Sequence, residues 1–461
     1  MKILLAAHGY PPELVGGTEV SLQSLARGLA ARGHAVVVVA GSMQHEQGFR
    51  RSLAQDGPVR VHRIHRADLY FDHWQKSASA RAAQAFTDVL REERPDLVHV
   101  HHWIRLTRDL VFLAAAEGIP AVVTLHDLWT SCLVTFRVRP DTKEFCEARL
   151  GPDPCLACAR HVPPRTPWVS RENQHLALAE HRADVVRELS LARAVLAPTE
   201  SHARAIAGYL GLDANELAIE AVPHGRDLAL QRRAPRPLRP GGKLVLGAWG
   251  HLHPLKGQDL LLDALHRLPD PLLAALRLAG AAPDAGFEAR LRVDVRELDV
   301  SFHGAYDAAD LGRHPVTDVH AMISGTRAHE SWGLVLDEAV ALGLPMILPR
   351  AGAYAERLAE GRGALFYEPR NPASLARVLE RLFAEADLLE SVRAGLPPLA
   401  DFAPSTAQHV EHVLTVYDRA LRLGPPERPA VDWWRARMRQ GQEEEWDASL
   451  KQRSAEELGF A

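Results

Sequence analysis

Two glutamates, Glu330 and Glu338, flank Ser331-Trp332-Gly333-Leu334 where a loop runs into a helical pattern. A helix beginning near Gly333 puts Glu330 ahead of its first turn and Glu338 inside it. At ~1.5 Å rise per residue, their separation along the chain spans up to about 12 Å. That exceeds the ~5–9.5 Å between the carboxyls of a glycosidase acid/base pair. The two acids are therefore read as holding opposite ends of an elongated ligand, with free amides at the helix start binding an anion between them. Carboxylate, helix N-terminus and carboxylate in series suit a sugar–diphosphate–ribose molecule. Taken singly, Glu338 reads equally well as a solvated helix residue.

Other residues extend this chemistry. Lys256-Gly257 follows a strand pattern through Gly250-His251-Leu252-His253-Pro254-Leu255. A lysine at a strand exit can neutralise phosphate, and a hydrogen bond to a charged group is worth roughly 1.5–3 kcal/mol; the plainer reading is a surface lysine beside a turn. Gly16-Gly17 lies at the exit of the first strand, where glycine lets backbone amides approach a ligand. Its spacing is not the G-x-G-x-x-G of dinucleotide binding, and an ordinary tight turn reads as well. His126-Asp127 closes another strand, where histidine can relay protons or bond a sugar hydroxyl, or simply cap a loop. His99 and His101 share one strand face, while His62, His65 and His73 show no supporting pattern.

Cys132, Cys146, Cys155 and Cys158 have gaps of thirteen, eight and two residues and are the only four cysteines of the chain. In a segment poor in hydrophobic periodicity this points to a tetrathiolate site, structural zinc first and an iron–sulfur cluster second, with free thiols or a redox pair as the alternative.

The elements that must position these residues are legible as an alternation. Residues 3–7 read as a buried strand; Leu22, Leu25, Ala26, Leu29 and Ala30 form a helical stripe; Gly33 caps that helix, and 35–40 is a β-branched strand. Helices near 77–92 and 107–117 alternate with strands at 96–100 and 120–125, which predicts a doubly wound parallel sheet over 1–230. The Pro- and Arg-rich stretch 231–242 reads as a linker. A second series begins at 243, with strands at 244–248, 276–279, 300–303 and 346–348 and helices at 257–268 and 333–343, and runs to 402. Helices and a polar tail carrying Trp433-Trp434 occupy 403–461; the mixed charges of that tail read as packing on the body. Two α/β halves of this kind make an interdomain cleft the expected ligand site.

Composition narrows the function classes. Across 461 residues, 54 Lys+Arg stand against 58 Asp+Glu, for a formal charge of −4, so no basic excess favours nucleic acid or an anionic membrane. No run approaches the ~20 apolar residues of a membrane span, and the first apolar stretch turns polar too soon for a signal peptide. A cytoplasmic protein is expected, with the inner face of the membrane as the alternative and peripheral contact at most.

In order along the chain, Gly16-Gly17-Thr18-Glu19, Arg32-Gly33-His34-Ala35-Val36, Pro95-Asp96-Leu97-Val98-His99-Val100-His101, Thr124-Leu125-His126-Asp127, Val222-Pro223-His224-Gly225, Lys256-Gly257 and Glu330-Ser331-Trp332-Gly333 through Asp337-Glu338-Ala339 resemble a retaining glycosyltransferase of family 4, over about residues 1–420. The resemblance implies the GT-B fold, two Rossmann-like domains facing across a cleft. It implies a nucleoside-diphosphate sugar donor held by the second domain and a glycan, glycolipid or small-molecule hydroxyl acceptor on the first. Glu330 would touch the transferred sugar, Glu338 the ribose, and the amides near Gly333-Leu334 the diphosphate beside Lys256. Gly16-Gly17 would close from the other domain, and His126 would contact the sugar near the reaction centre. No catalytic metal is implied, since protein cations and helix dipoles stabilise the leaving diphosphate, and front-side attack needs no protein nucleophile. Two positions depart from the pattern: His251 stands where a second phosphate cation is frequent, and Gly325-Thr326 replaces the usual Pro-Ser. A catalytically silent sugar-binding protein and another GT-B nucleotide-sugar enzyme are the competing expectations.

Overall fold

The computed structural model describes residues 1–44, 49–66, 74–142, 144–159, 171–213, 215–239, 241–385, 387–437 and 439. The chain divides into two compact units. Residues 1–135, 139–225 and 406 onward form the first, and 136–138 with 226–405 form the second. Among the described residues no helix is long and apolar enough to cross a membrane.

The first unit runs β1 (Lys2–Ala7), α1 (Gly17–Ala31), β2 (Ala35–Gly41), β3 (Arg50–Asp56), β4 (Val59–His65), α2 (Ala80–Glu93), β5 (Leu97–Val100), α3 (Leu110–Ala116), β6 (Ala121–Thr124), α4 (Pro152–Ala159), α5 (Arg171–Leu191), β7 (Ala194–Ala197), α6 (Glu200–Leu210) and β8 (Ile219–Ala221). Its sheet has the order β3-β4-β2-β1-β5-β6-β7-β8, parallel throughout except for the β3–β4 hairpin. Alternate residues of β1 and β2 feed opposite cores. Ile3, Leu5, Val36 and Val38 pack with Leu22, Leu25 and Leu29 of α1, while Leu4, Ala6 and Val39 pack with Phe86, Leu110 and Phe112. Strands buried on both faces read as continuous apolar runs, which is why they were legible.

The second unit runs β9 (Leu244–Trp249), α7 (Gln258–His266), β10 (Ala274–Ala279), α8 (Ala285–Asp294), β11 (Asp299–Phe302), β12 (Ala321–Ile323), α9 (Leu334–Leu342), β13 (Met346–Pro349), α10 (Gly352–Arg357), β14 (Ala359–Glu360), β15 (Gly363–Tyr367), α11 (Pro372–Ala384), α12 (Leu388–Ala394) and α13 (Leu399–Phe402). Its sheet order is β11-β10-β9-β12-β13-β15-β14, all parallel. Each unit is the doubly wound arrangement expected of alternating strands and helices.

The last long helix, α14 (Thr406–Leu423), joins the first unit. Val410, Val413, Val416, Tyr417 and Ala420 form its buried stripe against α1. Contact is close at Gly28, where a Cβ would stand 2.6 Å from Val410 Cγ2. Two contacts hold the tail beyond it on the body. Arg437 donates to both Asp184 oxygens at 2.9 and 2.7 Å, and Arg187 lies over the Trp433 ring at 4.7 Å.

Candidate active site

In an open parallel sheet the ligand crevice lies outside the carboxyl ends of the two strands where the order reverses. In the second unit β9 stands between β10 and β12, so the loops leaving β9 and β12 form that edge. Two glycines weld them together. Gly257 has φ +66°, and a Cβ on it would fall 1.9 Å from the Gly325 carbonyl oxygen; a Cβ on Gly325 would fall 2.2 Å from Gly257 O. Only paired glycines permit that approach. Arg327 adds a fork to Asp259 at 2.6 and 3.0 Å.

This contact sets Lys256 and Glu330 face to face, with Lys256 Nζ donating to Glu330 Oε1 at 2.7 Å and Thr326 Oγ1 to the same oxygen at 3.0 Å. Among the described residues, Glu330 Oε2 has no protein partner. Burial pushes the Glu330 carboxyl pKa up, but the Lys256 charge and the bonds from Lys256 and Thr326 outweigh it and hold it below the ordinary value. The backbone of Glu330 is pinned by Ala353 N at 2.9 Å, across Gly352, whose φ of +53° admits that carbonyl where a Cβ would sit 2.6 Å from it.

Gly333, φ +78°, caps α9, and the first amides of any helix lack intrahelical partners. Glu338 lies inside α9, 5% exposed. Its Oε1 accepts from Arg226 Nη1 and its Oε2 from Trp249 Nε1, both at 2.7 Å. The solvated alternative for Glu338 is therefore excluded. Asp337, fully buried, receives Arg357 at 2.5 Å and Trp332 Nε1 at 2.9 Å. The Arg357 guanidinium carbon sits 3.6 Å from the Trp332 ring centroid. The Trp332 side chain is thus a brace under the loop. Ser331 and Leu334 are half-buried at the same edge, and His251 is exposed on the loop after β9.

The first unit repeats the logic. β1 stands between β2 and β5, and histidines occupy the exits of β1, β5, β6 and β8: His8, His101-His102, His126 and His224. His8 Nε2 lies 2.6 Å from Glu19 Oε1, in the first turn of α1 after Gly16-Gly17. His102 is saturated, its Nδ1 accepting from Ile104 N at 3.1 Å and its Nε2 3.3 Å from Asp127 Oδ2. His101 Nδ1 and His126 Nε2 are 2.8 Å apart, and the His126 ring stacks on His224 at 5.0 Å. Burial first, then neighbouring imidazoles, lowers the pKa of His101 and His126 far below the ordinary value, so both are neutral near pH 7. His101 Nε2 is buried with no hydrogen-bond partner. An orphaned lone pair is less costly than an orphaned N–H, which assigns the shared proton to His101 Nδ1 and leaves His126 to donate from Nδ1.

The cysteine expectation finds no support. All four thiols are half-buried without a disulfide. Among the described residues no group of three or more His, Cys, Asp or Glu is arranged to hold a metal ion. Burial raises the Cys158 pKa, with Arg139 opposing it. Cys155 and Cys158 lie on a short helix of their own, α4.

The structure thus brings Lys256, Glu330, Ser331, Gly333, Leu334, Glu338 and His251 to one sheet edge, and Gly16, Gly17 and His126 to the corresponding edge of the first unit. Sequence reasoning gave no role to Arg226, Trp249, Thr326, His8, His102 and His224, although His224 and Thr326 stood in the segments it compared. Inspecting the residues after each predicted strand would have found Trp249, His8 and His102; His224 and Thr326 follow β8 and β12, short strands the sequence did not announce, and Arg226 follows no strand directly.

Similarity to known proteins places the chain in a family. Residues 15–230 match the family profile described as Glycosyltransferase Family 4, and 243–385 that of Glycosyl transferases group 1. The chain is 28% identical over 411 residues to a D-inositol 3-phosphate glycosyltransferase of Jonesia denitrificans, covering 82% of this chain and 86% of that one. It is 26% identical over 462 residues to a Mycobacterium tuberculosis glycogen synthase, covering 94% and 99%. Among solved structures, sucrose-phosphate synthase from Thermosynechococcus elongatus superposes with TM-score 0.64 at 17% identity, over 92% of this chain and 99% of that one. Anabaena HepE in complex with UDP and glucose gives 0.60 at 17%, over 91% and 99%. Both likenesses show the GT-B fold. With the two profiles following one another along most of its length, the chain belongs to glycosyltransferase family 4.

Proposed function

We propose that the protein transfers a hexose, with retention, from a nucleoside-diphosphate sugar to a hydroxyl acceptor in glycan, polysaccharide or glycolipid assembly. The observation that carries this reading is the Glu330–Lys256–Thr326 cluster at the β9/β12 edge, with the buried Glu338 beyond it in α9. Glu330 Oε2 accepts hydroxyls of the transferred sugar. The amides opening α9, with Lys256, take the negative charge that grows on the departing diphosphate, a preorganised arrangement that needs no reorientation as charge develops. Glu338 binds the ribose; each of its oxygens has one protein donor and retains capacity for a second. In the first unit, His126 donates from Nδ1 to a sugar oxygen, and the Gly16-Gly17 loop supplies backbone amides. As the anomeric carbon–oxygen bond to the diphosphate breaks, the acceptor oxygen adds on the same face, without a protein nucleophile, and the acceptor's hydroxyl proton passes to the departing diphosphate oxygen. The similarity to named sugar transferases, and to a protein crystallised with UDP and glucose, supports the donor class.

Thermal-shift titration with UDP-, GDP- and ADP-sugars tests the reading, because a ligand at 100 times its Kd adds about 2.7 kcal/mol of stability. No response to any of them would overturn it. For the division of labour, Glu330→Gln is expected to cut turnover far more than it weakens nucleoside-diphosphate binding, and equal losses would contradict it.

A further inference from the structure

In the proposed donor site, on which this inference rests, Lys256 is already paired with Glu330 and by itself does not offset the charge of a diphosphate. Position 251 holds an exposed histidine. Of the other cations at this edge, Lys256 is paired with Glu330, Arg327 is forked onto Asp259, and Arg357 is buried against Asp337. Arg226 differs from them. It follows Gly225 directly and its backbone is fixed by N–H donation to Pro404 O at 3.0 Å. Its side chain is 15% exposed, and among the described residues its guanidinium makes one hydrogen bond, from Nη1 to Glu338 Oε1 at 2.7 Å. A guanidinium carries five N–H donors in a fixed fork suited to phosphate. None of the Arg226 nitrogens is among the buried atoms without a partner, so the uncommitted donors face accessible space. A guanidinium this enclosed with one bond made is a group held in readiness.

We propose that Arg226 is a donor-binding residue. With Nη1 kept on Glu338, its remaining N–H groups supply a cationic contact to the diphosphate. The ribose-binding acid and the phosphate-binding base then form one rigid unit, fastened on its far side by Trp249 Nε1 on Glu338 Oε2 at 2.7 Å. This residue would thereby couple nucleoside recognition to diphosphate recognition.

The test is isothermal titration of full-length wild type, Arg226→Gln and Arg226→Lys with a nucleoside and its diphosphate (uridine and UDP, guanosine and GDP, adenosine and ADP), after thermal melts establish that each variant is folded. Arg226→Gln is expected to weaken diphosphate binding about tenfold or more, the scale of one charge-assisted hydrogen bond, while changing nucleoside binding less than about threefold. Arg226→Lys, which keeps the charge, is expected to recover most of the diphosphate affinity. Equal weakening of nucleoside and diphosphate would reduce Arg226 to orienting Glu338, and no weakening of either would make it a plain ion pair; both overturn the proposal while leaving the donor reading intact. Should wild type bind none of the diphosphates, the donor reading falls and this proposal with it.

Discussion

Replacing Gly325 by alanine tests whether the two glycines assemble the donor edge. Gly325 is outside the left-handed region, so alanine meets no backbone strain there, only a shortage of space. The new methyl would lie 2.2 Å from Gly257 O, 2.9 Å from its carbon and 3.1 Å from Leu261 Cγ. Restoring an ordinary contact of 3.4 Å to that oxygen moves the loops apart by about 1.2 Å. Overpacking of this kind costs about 1–3 kcal/mol, and for a domain of this size each kcal/mol lowers Tm by about 2–4 °C. The same displacement stretches the 2.7 Å Lys256–Glu330 contact past hydrogen-bond range. The charge-assisted bond is worth about 1.5–3 kcal/mol, and a misplacement of about 1 Å at a reacting centre costs roughly 10²-fold in rate. Gly208→Ala in α6 is the control: nothing lies within 4 Å of its added Cβ, and helix propensity makes alanine better there by up to about 1 kcal/mol. Thermal melts of the two variants should move in opposite directions, and calorimetric titration should show weaker diphosphate binding for Gly325→Ala alone. A Gly325→Ala protein that melts and binds like wild type would refute the reasoning.

Three further outcomes are expected. Arg357→Met strands the fully buried Asp337 charge and should cost about 3–5 kcal/mol in urea unfolding, with Asp337→Asn added to it restoring part of the loss. Gly28→Leu drives a side chain into Val410, 2.6 Å from where a Cβ would sit, and should cost about 1–3 kcal/mol and expose α14 to limited proteolysis; unchanged cleavage would contradict the docking. His409 has its pKa lowered to about 4, by burial first, against the opposing bond to Pro223 O. Between pH 6.5 and 4 the unfolded chain then binds the extra proton and the folded one does not, so stability is full above pH 6.5 and falls with acid by about 1.4 kcal/mol per pH unit; His409→Gln should flatten that part of the profile, and parallel profiles would refute the assignment.

Much of this fold was legible because parallel strands buried on both faces leave continuous apolar runs, as at Val36–Val39 and Leu244–Leu246. What escaped lacks that signature. The β3–β4 hairpin closes an edge with Arg50, Arg51 and Asp56, charges that keep an edge strand from pairing onward but look like loop. Helix α5 buries His181, Asp184 and Glu188, a polar stripe that no hydrophobic periodicity announces. Asp184 forms an ion pair with Arg108, Oδ2 lying 2.6 Å from Nε, and Glu188 caps α3 by accepting from Val111 N and Phe112 N, each at 2.7 Å. Burial and Asp109 raise the Glu188 pKa to about 8, while Trp103 and those amides oppose them. Such a helix is specified by its partners, and they lie far away in sequence.

The candidate site divides along the same line. Spacing alone located Glu330, Glu338 and Lys256, because a loop, a helix start and a strand exit are local features. Their protonation and pairing are set by strands that meet only in the folded sheet. His101, His102, His126 and Asp127 show the difference. β5 and β6 run parallel with His99 opposite Val122, so a His-His exit lies beside a His-Asp exit. One pair closes on itself, since His102 has both nitrogens occupied, by Ile104 N and Asp127. The other stays open, since His101 spends one nitrogen on His126 and thereby fixes which proton His126 can present. Four adjacent polar residues of like chemistry thus split into a closed pair and an open one, and the split follows from strand register rather than residue type.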